Sequence, residues 1–299
     1  MLTHKSAHWL PYVLPPLQKS VVKFIAVDSG ADNSAKIIRQ YFPDAIIIQD
    51  KSSNLAYLRN LALRESEKHE SDYTAFIDSD MVMPDNFFER TISFLEEHKD
   101  AGAVYVGGIL NFDPPKTFVA KFWRNIPEPN GTYEKKYACT TSIMFKTEAI
   151  KGIVINENCD RGNEDADLSL KLRRKGYKVF VDNNAPVAVH LRPATIMEEL
   201  KRYYNFGKTK PTILFEEGDK LTVLKTILVD IFALIGLLGI ILSPFIGTLA
   251  LIPIVIIFIR QTFRLKKKWR LDHALFMLIL SLVYNISCLT FLLVRKVSK

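Results

Sequence analysis

The sequence predicts an α/β protein with a Rossmann-like, mostly parallel sheet, followed by C-terminal transmembrane helices. Three observations carry that prediction. Short apolar runs alternate with amphipathic segments over the first hundred residues, the pattern of parallel strands joined by crossover helices. Asp78-Ser79-Asp80 closes the apolar run Tyr73–Ile77, and the C-terminal tip of such a strand is where α/β sheets bind ligands. From Leu221 onward the chain is dominated by Leu, Ile, Val and Phe. The expected division is therefore residues 1–220 as a globular domain and 221–299 as a membrane region.

The elements follow in order. Ala7–Leu17 reads as a short helix, and the continuous apolar run Val21–Val27 as a strand buried on both faces. Such a strand needs a neighbour. Residues 1–3 look too few to supply one, so the expectation is that the natural start lies upstream of Met1. Val27 to Ser34 is a strand end, a Gly/Asp/Asn turn and a helix cap, and Pro43 ends the helix that turns Ile37, Ile38 and Tyr41 inward. Ala45–Ile48 is a short strand, and Asn54–Lys68 a helix with Arg59-Asn60 near its start. Tyr73–Ile77 is a strand, Asn86–His98 a helix and Ala103–Val106 another strand.

The proline-rich residues 111–135 read as an irregular loop over the site, and Tyr137–Phe145 as a strand. Asn163 is placed to cap a helix carrying Glu164, Asp165 and Asp167 in its first turn and Lys171, Arg173, Arg174 and Lys175 in its last. Gly176 stops it. Lys178–Val181 and Val187–His190 are short strands.

Beyond Lys220 lie three apolar stretches, roughly 226–242, 245–259 and 274–294, the first two near the lower length for a membrane span and the third comfortably long. The basic run Arg264–Arg270 places its loop in the cytoplasm by the positive-inside rule, which keeps the first domain cytoplasmic too. Pro11, Pro15 and Pro16 break any signal-peptide core at the N-terminus. The net charge of +8 suits either a nucleic acid or an anionic membrane, and the apolar C-terminus favours the membrane. Three scattered cysteines give neither a disulfide frame nor a zinc site.

Alternation along an extended chain points Asp78 and Asp80 the same way. Two hard oxygen donors at a strand tip suit Mg²⁺ or Mn²⁺ shared with a diphosphate. The bland alternative is a solvated turn before Pro84.

The ordered set Thr3-His4-Lys5, Val27 to Ser34, Asn54…Arg59-Asn60, Asp78-Ser79-Asp80, Glu164-Asp165-Ala166-Asp167-Leu168 and His190 resembles the membrane-anchored, inverting family 2 glycosyltransferases of GT-A fold. The resemblance covers roughly residues 3–205 and departs at the N-terminus, where the first strand looks absent. It implies a GT-A catalytic domain that moves a sugar from a UDP- or GDP-sugar to an acceptor at the cytoplasmic membrane face. That acceptor would be a polyprenyl or dolichyl phosphate or a lipid-linked glycan, and the partners would be nucleotide sugar and lipid, with no nucleic acid.

The resemblance also implies roles. Thr3, Lys5, Asp28, Arg59, Asp78, Glu164 and Arg202 would bind the nucleotide sugar. Asp78, Asp80 and His190 would hold the Mn²⁺ or Mg²⁺. Asp165 would be the general base, with Glu164 and Asp167 as alternatives. A first-turn carboxylate should stay ionised through the helix dipole, and helical geometry turns each neighbour about 100° away. Lys201, Arg202, Tyr203, Tyr204, Lys208 and Lys210 would hold a donor or lipid phosphate, or simply anchor the chain at the interface. Two other readings share the fold: a sugar-phosphate nucleotidyltransferase, which usually carries a Gly-rich N-terminal loop absent here, and an inactive membrane scaffold.

Overall fold

The computed structural model describes residues 1–218 apart from 22, 108–109, 112–116, 125–128, 161, 185–187 and 192–194, together with 228 and 271–297. The chain divides into two compact units, Met1–Lys116 with Glu128–Pro193, and Thr117–Pro127 with Ala194–Lys299. The sequence had placed residues 194–220 with the first domain; their helix packs within the second unit.

The first unit opens with β1 (Leu2–Thr3), which pairs in parallel with β2 (Ile25–Asp28) in the register Leu2 to Val27 and Thr3 to Asp28. The few residues before β2 thus do supply the neighbour that looked missing. They are anchored by the Met1 ammonium, which donates to the Ile25 carbonyl at 2.9 Å, and by Val27 N–H, which donates to the Met1 carbonyl at 2.9 Å. Three prolines limit the segment between them to the single turn α1 (Leu10–Val13) and a 3₁₀ turn, Pro15–Leu17. Leu10, Val13, Leu14 and Leu17 are nonetheless fully buried there.

Next come α2 (Ser34–Tyr41), β3 (Ile46–Gln49), α3 (Leu55–Ser66), β4 (Tyr73–Ile77), β5 (Met81–Val82), α4 (Phe87–Glu97), β6 (Ala101–Val106) and β7 (Leu110–Asn111). The rest of the unit holds β8 (Thr132–Glu134), β9 (Ser142–Lys146), α6 (Thr147–Ile150), α7 (Glu164–Arg174), β10 (Lys178–Asp182) and β11 (Val189–His190). The strands form a parallel sheet β1-β2-β3, a five-stranded sheet β4-β9-β6-β10-β8 and a small sheet β5-β11-β7. The five-stranded sheet is mixed: β9 runs antiparallel to both β4 and β6, while β6 and β10 are parallel. The run expected as a strand from Tyr137 pairs only from Ser142, because the chain turns at Thr140 and Thr141 just before it.

The second unit contains α5 (Phe118–Arg124), α8 (Ile196–Glu217) and α9 (Leu271–Val297). The stretch read as loop over 111–135 therefore contains a helix and a strand. Phe122 and Val119 of α5 pack against Phe276 and Leu280 of α9 in a core of their own. Among the described residues no helix is long and apolar enough to cross a membrane. The third apolar stretch forms α9; but for Leu228, the first two and the basic run Arg264–Arg270 lie outside the described residues.

Candidate active site

The site gathers where β4 ends and α7 begins. Asp78 leaves β4 with its N–H donated to the Thr141 carbonyl at 3.0 Å, and Met81 N–H closes the turn back onto the Asp78 carbonyl at 3.1 Å. Ser79 is fastened to the N-terminal segment through Ser6, hydroxyl to hydroxyl at 2.8 Å.

Arg59 of α3 reaches into this corner and is 6% exposed. Its Nη2 lies 3.4 Å from Asp78 Oδ1 and its Nε 3.5 Å from Glu164 Oε1, so one guanidinium bridges the strand tip and the start of α7. Burial alone would pull the Arg59 pKa down; Asp78, Glu164 and Asp165 outweigh it and hold it above its ordinary value. The ring of Phe76 lies under the guanidinium at 5.5 Å. Burial pushes the Asp78 carboxyl up, Arg59 offsets part of that rise, and the Asp80 and Glu164 charges add to it.

Asp80 and His190 meet on the adjoining face, Oδ2 to Nε2 at 3.3 Å, with the Leu191 N–H donated to the Asp80 carbonyl at 2.8 Å. A carboxylate beside an imidazole is a donor pair that fits Mn²⁺. Asp78, the third residue expected as a ligand, is turned to Arg59. Among the described residues no group of three or more His, Cys, Asp or Glu is pre-assembled for a metal.

The three acidic residues of the α7 first turn diverge, as helical spacing requires. Glu164 faces Arg59. Asp167 is fully buried and accepts from Lys171 Nζ at 2.6 Å and from the Asn156 N–H at 2.8 Å, which makes it a fastening of the helix. Asp165 is half-buried, and among the described residues no basic side chain pairs with it. The expectation that the helix dipole keeps it readily ionised needs correction. Desolvation by the surrounding protein, then the charge of Glu164, raise its pKa to about 7, against the help of the Ala166 N–H and of Arg59. The same carboxylate and burial raise the neighbouring Cys139 thiol, burial being the larger cause.

Asp28, expected to face a nucleobase, is 1% exposed. Thr3 Oγ1 donates to its Oδ1 at 2.7 Å, and Gln49 Nε2 and Gly30 N–H donate to its Oδ2 at 2.9 and 3.1 Å. In this geometry Asp28 and the buried Thr3 hold the turn after β2 together. Lys5 stands exposed in the left-handed region at φ 53°. Arg202 belongs to the second unit. There it pairs with Glu199 at 2.5 Å and lies over the rings of Trp123 and Phe206 at 5.3 and 5.8 Å. Tyr203 beside it is pushed up to about 12 by burial.

Sequence reasoning missed the hydrogen bonds made by Asn60 and Asn54. Asn60 stands beside Arg59 in the motif, but its partners are Ile155 and Glu157, and nothing in the local pattern joins those positions.

The family model described as Glycosyl transferase family 2 matches residues 3–153. No curated protein matches the sequence. The mannosyltransferase PcManGT from Pyrobaculum calidifontis in complex with GDP-Man and Mn²⁺ is similar in fold, at 15% identity and a TM-score of 0.56, over 96% of this chain and 85% of that one. S. aureus TarS 1-349 in complex with UDP is similar at 15% identity and a TM-score of 0.51, over 70% of this chain and 63% of that one. Its UDP-GlcNAc complex gives 14% identity and a TM-score of 0.51, over 68% and 64%. The chain thus spans less than two thirds of TarS 1-349, and 38% of the longer TarS structure. At these identities the likeness is one of fold.

Proposed function

This chain belongs to glycosyl transferase family 2, and on that premise we propose that it moves a sugar from a nucleotide-sugar donor to a membrane-held acceptor with inversion at the sugar carbon. The observation that carries the reading is the buried Arg59, which draws Asp78 of the Asp-Ser-Asp turn and Glu164 of the α7 first turn around one guanidinium. Asp165 next to Glu164 is then the general base. It takes the proton of an acceptor hydroxyl as the hydroxyl oxygen bonds the sugar carbon. The bond from that carbon to the diphosphate breaks on the opposite face, and the nucleoside diphosphate leaves. A carboxyl poised near pH 7 suits that task, since the best catalytic pKa lies near the working pH.

Arg59 supplies a fixed positive charge to the donor side. Asp80 and His190, with Asp78 beside them, would hold a divalent ion, and Mn²⁺ or Mg²⁺ there would supply Lewis-acid neutralisation of the leaving diphosphate. PcManGT with GDP-Man and Mn²⁺, and TarS with UDP-GlcNAc, supply the candidate donors.

Anchoring to the membrane is the second part of the proposal. Three apolar stretches support it, the third of which forms α9 and exposes Leu275, Ile279 and Ile286 by 52%, 40% and 57%. Their spacing puts them on one helix face. The acceptor would be a lipid-linked glycan or a polyprenyl or dolichyl phosphate. The two differ in what they ask of Asp165, because a phosphate oxygen is already ionised and needs no base.

Purified protein with Mn²⁺ and a panel of UDP- and GDP-sugars tests the core of this reading. The expected result is release of nucleoside diphosphate from one donor class, abolished by Asp80→Ala. No release from any donor, or full activity in Asp80→Ala with metal dependence unchanged, would contradict it.

A further inference from the structure

We infer that Asn60 is a positioning residue for the transfer step, pinning the segment that delivers Asp165 to the same turn of α3 that carries Arg59. The inference rests on the proposed role of Asp165. Asn60 is 2% exposed, and its amide is spent on a segment far along the chain, chiefly on Ile155 and, by a longer bond of 3.4 Å from its Nδ2, on Glu157 Oε1. Its Nδ2 donates to the Ile155 carbonyl at 2.8 Å, and the Ile155 N–H donates to its Oδ1 at 2.8 Å. Asn54 adds a bond from its Nδ2 to the Glu157 carbonyl at 2.9 Å, and the Leu55 N–H one to the Asp160 carbonyl at 2.7 Å. From the other side, Asp167 accepts the Asn156 N–H at 2.8 Å, and Lys171 Nζ donates to the Val154 carbonyl at 2.7 Å. The segment before α7 is therefore held from α3 and α7 together.

Successive helix residues point about 100° apart. Arg59 thus addresses Asp78 and Glu164, while Asn60 on the same turn addresses Ile155. Any shift of α3 moves the donor-side cation and the approach to the base as one body. Removing the Asn60 amide leaves the Ile155 backbone groups buried without partners, and the segment must move to recover them. Displacements of about 1 Å at a reacting group cost up to about 10²-fold in rate.

The test uses UDP-GlcNAc and GDP-mannose as donor probes with Mn²⁺ and water as acceptor, together with the affinity for free UDP and GDP. In Asn60→Ala, kcat for nucleoside diphosphate release should fall about 10-fold, while affinity for UDP or GDP stays within about 2-fold. Thr91→Val is the control, because it removes a buried hydroxyl bond to the Phe87 carbonyl at 2.7 Å in α4. It should lower thermal stability and leave kcat unchanged well below the melting temperature. Asn54→Ala should repeat the kcat effect more weakly, and it stands in if Asn60→Ala does not fold. A folded Asn60→Ala with wild-type kcat overturns the inference. So does a kcat loss matched by Thr91→Val at equal loss of stability, or wild-type kcat in Asn54→Ala when Asn60→Ala is unfolded. Absence of release by the unmodified protein would instead remove the transferase reading, and this inference with it.

Discussion

At the scale of single residues, two neighbouring carboxylates have different duties. Glu164 is spent on Arg59, and among the described residues no basic side chain pairs with Asp165, so desolvation and the Glu164 charge raise it against the smaller pull of Arg59. A base must be deprotonated to work, so kcat/KM should rise with pH through about 7, the value to which Asp165 is raised. Glu164→Gln removes the repulsion, so the limb should move to lower pH, read from the pH–rate profile. An unmoved limb would mean that Glu164 does not act on the titrating group. The same shift predicts a stability trend. The folded protein holds the Asp165 proton more tightly than the unfolded chain, so this group's cost is absent below its ordinary pKa of 3.8 and complete above about 7. Asp165→Asn should therefore melt higher than the unmodified protein at pH 8 and close to it at pH 4, as seen by calorimetry.

At the scale of elements, what was legible in the sequence was what local pattern determines. The helices around Asn54, Asn86 and Asn163 and the strand Tyr73–Ile77 fall within a residue or two of their predicted bounds, because periodicity and punctuation both mark them. The helices α5 and α8 were not legible. Prolines flank α5, and its apolar face is satisfied by Phe276 and Leu280, about 150 residues further on. Glycine and proline are poor helix formers, yet Gly207 and Pro211 both lie within α8. Gly207 has a packing reason. A Cβ there would lie 2.1 Å from the Tyr284 carbonyl oxygen of α9, and the Ser287 hydroxyl donates to the Tyr204 carbonyl close by. Gly207→Ala should push the two helices apart and cost roughly 1–3 kcal/mol of stability. An unchanged melting temperature would show that the close approach is not required.

At the scale of the whole molecule, the candidate site was legible as an ordered set of motifs, while its wiring was not. That Asp28 closes a turn with Thr3 and Gln49, and that Asp78 turns to Arg59, are facts of tertiary packing. The exposed apolar face of α9 and the apolar stretches before it predict a protein that stays with membranes through high-salt and alkaline washes and leaves only with detergent. Release by salt alone would contradict the anchoring. The central claim, that Asp165 is the base of a glycosyl transfer, is tested most directly by comparing Asp165→Asn with the unmodified protein on the donor that the screen identifies. Donor affinity should be kept, while transfer to a hydroxyl acceptor should fall by about 10²–10⁴. Transfer at the unmodified rate, or donor affinity and folding lost together, would contradict it.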